Sequence, residues 1–189
     1  MDVSKALLGR RTIRKFKQDK LSYADLEKLV DFARLSAFPA NIQPLRFAII
    51  NDDELVKATF PHTKWAGYMP EKGTPKPGEE PTAYIAILGH KATKSAFQVE
   101  AGAAITSMML GAFEMGIGSC WLGSIDRSEL LALYGISADE YELVYLLALG
   151  YPNQESRAVI ATDSIKYYED ENGGICVPKL PLDEVIVDL

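Results

Sequence analysis

The sequence predicts a mixed α and β protein, and three observations carry that expectation. Apolar, β-prone runs at residues 45–50, 83–89 and 142–150 read as strands. Leu26, Leu29, Val30 and Ala33 recur at three- and four-residue spacing, the period of a helix with one buried face. Small residues and methionines fill residues 95–115, which read as one long helix. At 189 residues with 48% hydrophobic content, the chain can bury a full core as one domain, residues 1–189, with residues 153–189 as a C-terminal extension.

Taken in order, residues 2–9 form a predicted short helix, with Asp2 favourable at its positive end. It stops at Gly9. Ser22, with Asp25 three residues later, is the expected N-cap of a helix over 23–35. Asp52, Asp53 and Glu54 mark another helix start. Residues 60–81 hold five prolines and three glycines and read as a long loop, a lid or a substrate-shaping segment. Trp65 and Tyr68 within it either cover a ligand or pin the loop to the body. The run 83–89 reads as a strand buried on both faces. Gly116 to Gly123 does not match G-x-G-x-x-G and does not open a helix, which excludes a dinucleotide fingerprint. It reads instead as a short strand ending in a tight turn whose backbone N–H groups can face a ligand. Residues 128–134 are a predicted helix. Asn172-Gly173-Gly174 signals a hairpin turn, and the apolar close at 178–186 must pack on the body or on a second subunit.

Composition excludes several classes of function. A net charge of −6 and a pI near 5.0 oppose general nucleic-acid binding. No apolar run reaches the length of a membrane span, and the N-terminus lacks a secretory signal, so a cytoplasmic protein is expected. The two cysteines, Cys120 and Cys176, lie far apart, and only His62 and His90 are present. A metal site and a His-based triad are therefore not expected.

Two stretches carry chemistry. Arg10-Arg11-Thr12-Ile13-Arg14-Lys15-Phe16 concentrates cations in an acidic chain, while Ile13 and Phe16 anchor it to a core. It is either a solvated basic turn or a fixed set of planar donors for a phosphate or an anionic ring edge. Pro39-Ala40-Asn41-Ile42-Gln43-Pro44 joins a helix to a strand and presents two amides, each with a donor and an acceptor. It is either a polar connector or a reader of a planar heterocycle.

These two motifs, with Trp121-Leu122-Gly123, Leu149-Gly150-Tyr151-Pro152 and Pro178-Lys179-Leu180-Pro181-Leu182, resemble the nitroreductase family over Arg10 to Ile186. The resemblance implies an α+β fold, a mostly antiparallel central sheet flanked by helices. It also implies a homodimer with FMN at the interface, the C-terminal extension wrapping the partner, and NADH or NADPH as electron donor. By position, it makes Arg10 the phosphate ligand, aided by Lys179, and Arg14 the electrostatic partner of flavin N1 and O2. Arg11 and Thr12 belong to the same motif, Thr12 facing the pyrimidine edge or the ribityl chain. Pro39, Ala40, Asn41 and Gln43 would come from the other subunit, while Cys120, Trp121, Leu122 and Gly123 would border the ring near N5. No catalytic side chain is required, because the flavin carries the chemistry. The expected reaction passes hydride through flavin N5 to a small-molecule acceptor, such as a nitroaromatic, a quinone or a flavin. A specialised flavin enzyme for dehalogenation or metabolite oxidation, and a non-catalytic FMN carrier or regulator, stay open. Ser107 where relatives carry Asn, and Lys179 where they carry Arg, depart from the family pattern.

Overall fold

The structure, a computed structural model, describes residues 2–187. Its centre is an antiparallel sheet of β1 (Leu45–Ile50), β2 (Ala83–His90), β3 (Gly118–Leu122) and β4 (Tyr141–Gly150), in the order β1-β2-β4-β3. The helices are α1 (Val3–Gly9), α2 (Tyr23–Arg34), α3 (Asp53–Thr59), α4 (Pro70–Gly73), α5 (Gln98–Glu114) and α6 (Arg127–Leu133). The predicted mixed fold is present, with the antiparallel sheet between helical layers.

Strand period explains the two layers. Along β2, Ile85 and Ile87 face Leu26 and Leu29 of α2 and Ile105 and Met108 of α5. Tyr84, Ala86 and Leu88 face the opposite cluster, with Val56 of α3 and Leu130 and Leu131 of α6. Each such leucine or isoleucine contributes about 1.5–3 kcal/mol on full burial. Tyr84 is wholly buried and belongs to the core.

The predicted caps form. Asp2 accepts from the Lys5 N–H at 2.8 Å, and Ser22 from the Asp25 N–H at 3.1 Å. One oxygen of Asp52 accepts from both Glu54 and Leu55, at 3.1 and 3.0 Å. Caps of this kind are worth about 1 kcal/mol each. The long helix begins at Gln98, later than the sequence suggests. Phe97 is fully buried across Gly89, where a Cβ would collide with its ring, and its φ and ψ of −122° and −3° are not helical.

The 60–81 segment is a loop holding a 3₁₀ turn at Phe60–His62 and the single-turn helix α4. Trp65 is buried and donates its indole N–H to Thr63 Oγ1 at 2.8 Å, so it pins the loop to the body, whereas Tyr68 is exposed. The C-terminal segment builds a second sheet from β5 (Ser156–Ile160), β6 (Tyr168–Glu169) and β7 (Ile175–Lys179), in the order β5-β7-β6. β5 and β7 run parallel, and β6 and β7 form the expected hairpin, with Gly173 at φ 80° in its turn. After it, the short helix α7 (Leu182–Val185) and its flank leave Leu182, Val185, Ile186 and Val187 exposed.

Candidate functional site

The arginine segment lies along the edge of the central sheet. Thr12 bridges Ser119 in parallel, and the Ile13 N–H donates to Ser119 O at 2.9 Å. Phe16 is fully buried, donates its N–H to Glu79 O at 2.9 Å, and bridges Pro152. The Lys17 N–H reaches Tyr151 O at 2.8 Å, and the Arg14 N–H reaches the side-chain oxygen of Gln154 at 3.0 Å. Two glycines permit this closeness. A Cβ at Gly150 would lie 2.9 Å from the Phe16 side chain, and one at Gly118 would lie 3.0 Å from Ile13. Main-chain bonds and a buried ring therefore hold Arg10 to Arg14 in fixed directions.

Beside the segment is a cavity of about 360 Å³, walled by Arg10, Arg11, Gly118, Ser119, Gln154 and Arg157 among others. Arg10 is half-buried, and no ion pair joins it among the described residues. Burial first, and the neighbouring charge of Arg11 second, lower its pKa, the signature of a cation without compensation. Arg11 folds back on the end of α1, donating to Leu8 O at 2.8 Å and to Arg10 O, which makes it a C-terminal cap. Its Nε stays buried without a partner, as does Oγ of Ser156 on the same wall. Arg157 pairs with Asp170 at 2.7 Å, and that hydrogen bond raises its pKa.

The guanidinium of Arg14 has no hydrogen-bond acceptor or ion-pair partner among the described residues. It lies 4.5 Å from the centroid of the Tyr167 ring. Lys179 sits on β7 opposite Ile160, exposed, and is not on the cavity wall with Arg10.

Strand alternation separates the residues at the end of β3. Cys120 points into the core, and burial pushes its thiol up to about 11, so only its backbone is available to a ligand. Trp121 faces the other way, 38% exposed, edge-on to Tyr145 at 5.1 Å and over Gly102 of α5. Leu122 turns inward again. Arg127 pins the following turn, donating to Gly123 O at 3.2 Å, Leu143 O at 3.0 Å and Val144 O at 3.1 Å. The connector forms a 3₁₀ turn at Pro39–Asn41. Ala40, Asn41 and Gln43 take φ of 48°, 52° and 50°, a left-handed conformation that costs about 1 kcal/mol per residue without glycine. All three are exposed on the chain. Strain kept at an exposed polar turn is characteristic of ligand-binding segments.

The sequence reading missed Arg127, Gln154, Ser156, Arg157 and Tyr167. Arg127, Gln154, Arg157 and Tyr167 make contacts with residues distant in sequence, and none of the five carries a local pattern. The structure places Arg10 and Arg11 on one cavity, joins the Thr12 backbone to Ser119, and buries the Cys120 side chain in the core. Among the described residues no group of three or more His, Cys, Asp or Glu is placed to hold a metal, and no helix is long and apolar enough to cross a membrane.

An antiparallel sheet is thus edged by a pinned arginine segment, with a half-buried cation on the wall of a cavity. The chain belongs to the nitroreductase family, whose model matches residues 7–151. A curated relative from Archaeoglobus fulgidus, named "Putative NADH dehydrogenase/NAD(P)H nitroreductase", is 28% identical over 166 residues, 84% of this chain and 90% of that one. Among solved structures, "a putative nitroreductase in complex with fmn" from Desulfovibrio desulfuricans superposes with a TM-score of 0.74 at 22% identity, covering 100% of this chain and 97% of its own. An "FMN-dependent Nitroreductase" from Clostridium difficile R20291 gives 0.68 at 20% identity, over 86% and 94%. At these identities the two structures establish likeness of fold.

Proposed function

We propose that this chain is an FMN-dependent oxidoreductase taking electrons from NADH or NADPH and delivering them to a small organic acceptor, such as a nitroaromatic or a quinone. The observation that carries the proposal is Arg10, a half-buried cation without a counter-ion among the described residues, on the wall of a cavity of about 360 Å³. The donor set there fits a phosphate ester, because Arg11 Nε and Ser156 Oγ are also buried without partners. FMN, when bound, supplies the hydride-accepting ring and the two-electron chemistry. Arg10 would hold the phosphate. Arg14, whose guanidinium donors are free, would meet the polar edge of the ring and stabilise charge developing there. The Trp121 side chain and the backbone of Leu122 and Gly123 would border the ring.

The active form in this reading is a homodimer in which each chain lends Pro39, Ala40, Asn41 and Gln43 to the other's cofactor. Two exposed apolar surfaces support that assembly. One is Val3, Leu7 and Leu8 on α1, with Leu8 77% exposed; the other is the end of the chain, with Leu182 72% and Val187 82% exposed. Residues 1–189 act as one domain in the cytoplasm, with 153–189 as its extension.

The test is the visible spectrum of the purified protein with FMN under anaerobic conditions, before and after NADPH and then NADH. Flavin bands that bleach with either nucleotide support the proposal and name the donor. Bands that persist with both indicate a carrier, and failure to retain FMN overturns the reading.

A further inference from the structure

We infer that Tyr167 is a positioning residue for Arg14, supplied by the C-terminal segment and braced by the 60–81 loop. The inference rests on the proposal that Arg14 lies beside the flavin. The Arg14 guanidinium lies over the Tyr167 ring, its Cζ 4.5 Å from the ring centroid. A guanidinium held over an aromatic face by cation–π attraction is restricted in position and hydration without engaging a hydrogen-bond acceptor. Arg14 has that arrangement. Its backbone N–H is taken by Gln154, and the described residues offer its side chain no acceptor.

Tyr167 is itself held from the far side. The Tyr68 N–H donates to Tyr167 Oη at 3.3 Å, and the two rings lie 5.2 Å apart. Lys166 lies 5.8 Å over the Tyr68 ring, and Lys72 of the loop pairs with Glu169 at 2.9 Å. Four contacts thus tie the loop to the C-terminal segment next to Arg14. Tyr167 lies beyond residues 7–151, the part matched by the family model.

The test measures FMN affinity by fluorescence titration and the flavin midpoint potential in wild type, Tyr167→Leu, Tyr167→Phe, Arg14→Ala and the Arg14→Ala/Tyr167→Leu pair. Tyr167→Leu should weaken FMN binding about threefold to tenfold. It should also lower the reduced-to-oxidised preference by a similar factor, tenfold being about 30 mV for a two-electron couple. Tyr167→Phe, which keeps the ring, should stay within about twofold of wild type. In the Arg14→Ala background, Tyr167→Leu should add nothing to the shift in potential. Tyr68→Ala should give a smaller shift of the same sign, and it serves if Tyr167→Leu does not fold. An Arg14→Ala shift without a Tyr167→Leu or Tyr68→Ala shift overturns the inference, as does a Tyr167→Leu shift that survives in Arg14→Ala. An Arg14→Ala protein with unaltered affinity and potential removes Arg14 from the cofactor, and the inference falls with that placement.

Discussion

Replacing Arg10 by Gln should move stability and cofactor affinity in opposite directions. In the protein without cofactor, the Arg10 charge is disfavoured twice, by loss of water and by the adjacent charge of Arg11, with burial the larger cause. The group is only half-buried, so solvent screens both effects, and the relief on neutralising it is limited to about 0.5 kcal/mol. Gln keeps part of the side-chain stem that packs at the cavity wall and removes the charge. With FMN present, the same change deletes a charge-assisted hydrogen bond to phosphate, worth about 1.5–3 kcal/mol, or about tenfold to 150-fold in affinity. Urea unfolding of the cofactor-free protein and FMN fluorescence titration measure the two effects. The wild-type affinity should also fall more steeply with salt than that of the variant. A less stable apoprotein would refute the account of an uncompensated cation. Unchanged FMN affinity would refute the phosphate assignment.

Phe16→Ala should cost about 3–5 kcal/mol in urea unfolding, the usual range for emptying a buried phenyl site. It should weaken FMN binding as well, since Phe16 anchors the arginine segment; a destabilised protein with wild-type affinity would show that the anchor is only structural. Glu100 is 1% exposed and pairs with Lys94, whose hydrogen bond is the main cause holding the carboxyl pKa below its ordinary value. A depressed carboxyl contributes stability above about pH 4.5 and loses it as pH falls through the folded value. Lys94→Met should therefore destabilise the protein by about 2 kcal/mol at pH 7 and by less near pH 4, where the carboxyl takes up a proton. Unfolding at the two pH values checks this, and a loss that grows on acidification would contradict the sign.

Local signals were legible where a single element decides the outcome. The run 45–50 is a strand because its neighbours on both sides, Pro44 and Asn51-Asp52, interrupt it, and Asp52 caps the next helix as its position suggests. Anchoring of the arginine segment by Phe16 was also legible, because an apolar ring among cations has few other uses. The resemblance sets Cys120 beside Trp121 at the ring, but adjacent strand residues point to opposite faces, and burial shows that the Trp121 side chain is the one that faces outward. The start of α5 was misplaced because the deciding contact, Phe97 over Gly89, joins different elements. Lys179 and Arg157 show the same limit. Both are cations in the C-terminal segment, and only the parallel pairing of β5 with β7 determines which one reaches the cavity.

The bond from the Arg14 N–H to Gln154 and the stacking of Tyr167 on Arg14 span 140 and 153 positions of the chain. Closing loops of that length costs entropy that local elements do not, so such contacts form late in folding. During synthesis, the central sheet has all four strands once Gly150 has emerged, yet Arg14 still lacks both neighbours. The scaffold and the charge arrangement that gives it a use are thus separated in time. In a nascent chain the strands of the central sheet are all available before the residues that flank Arg14, and the surroundings of Arg14 are complete only when the segment around Tyr167 leaves the ribosome.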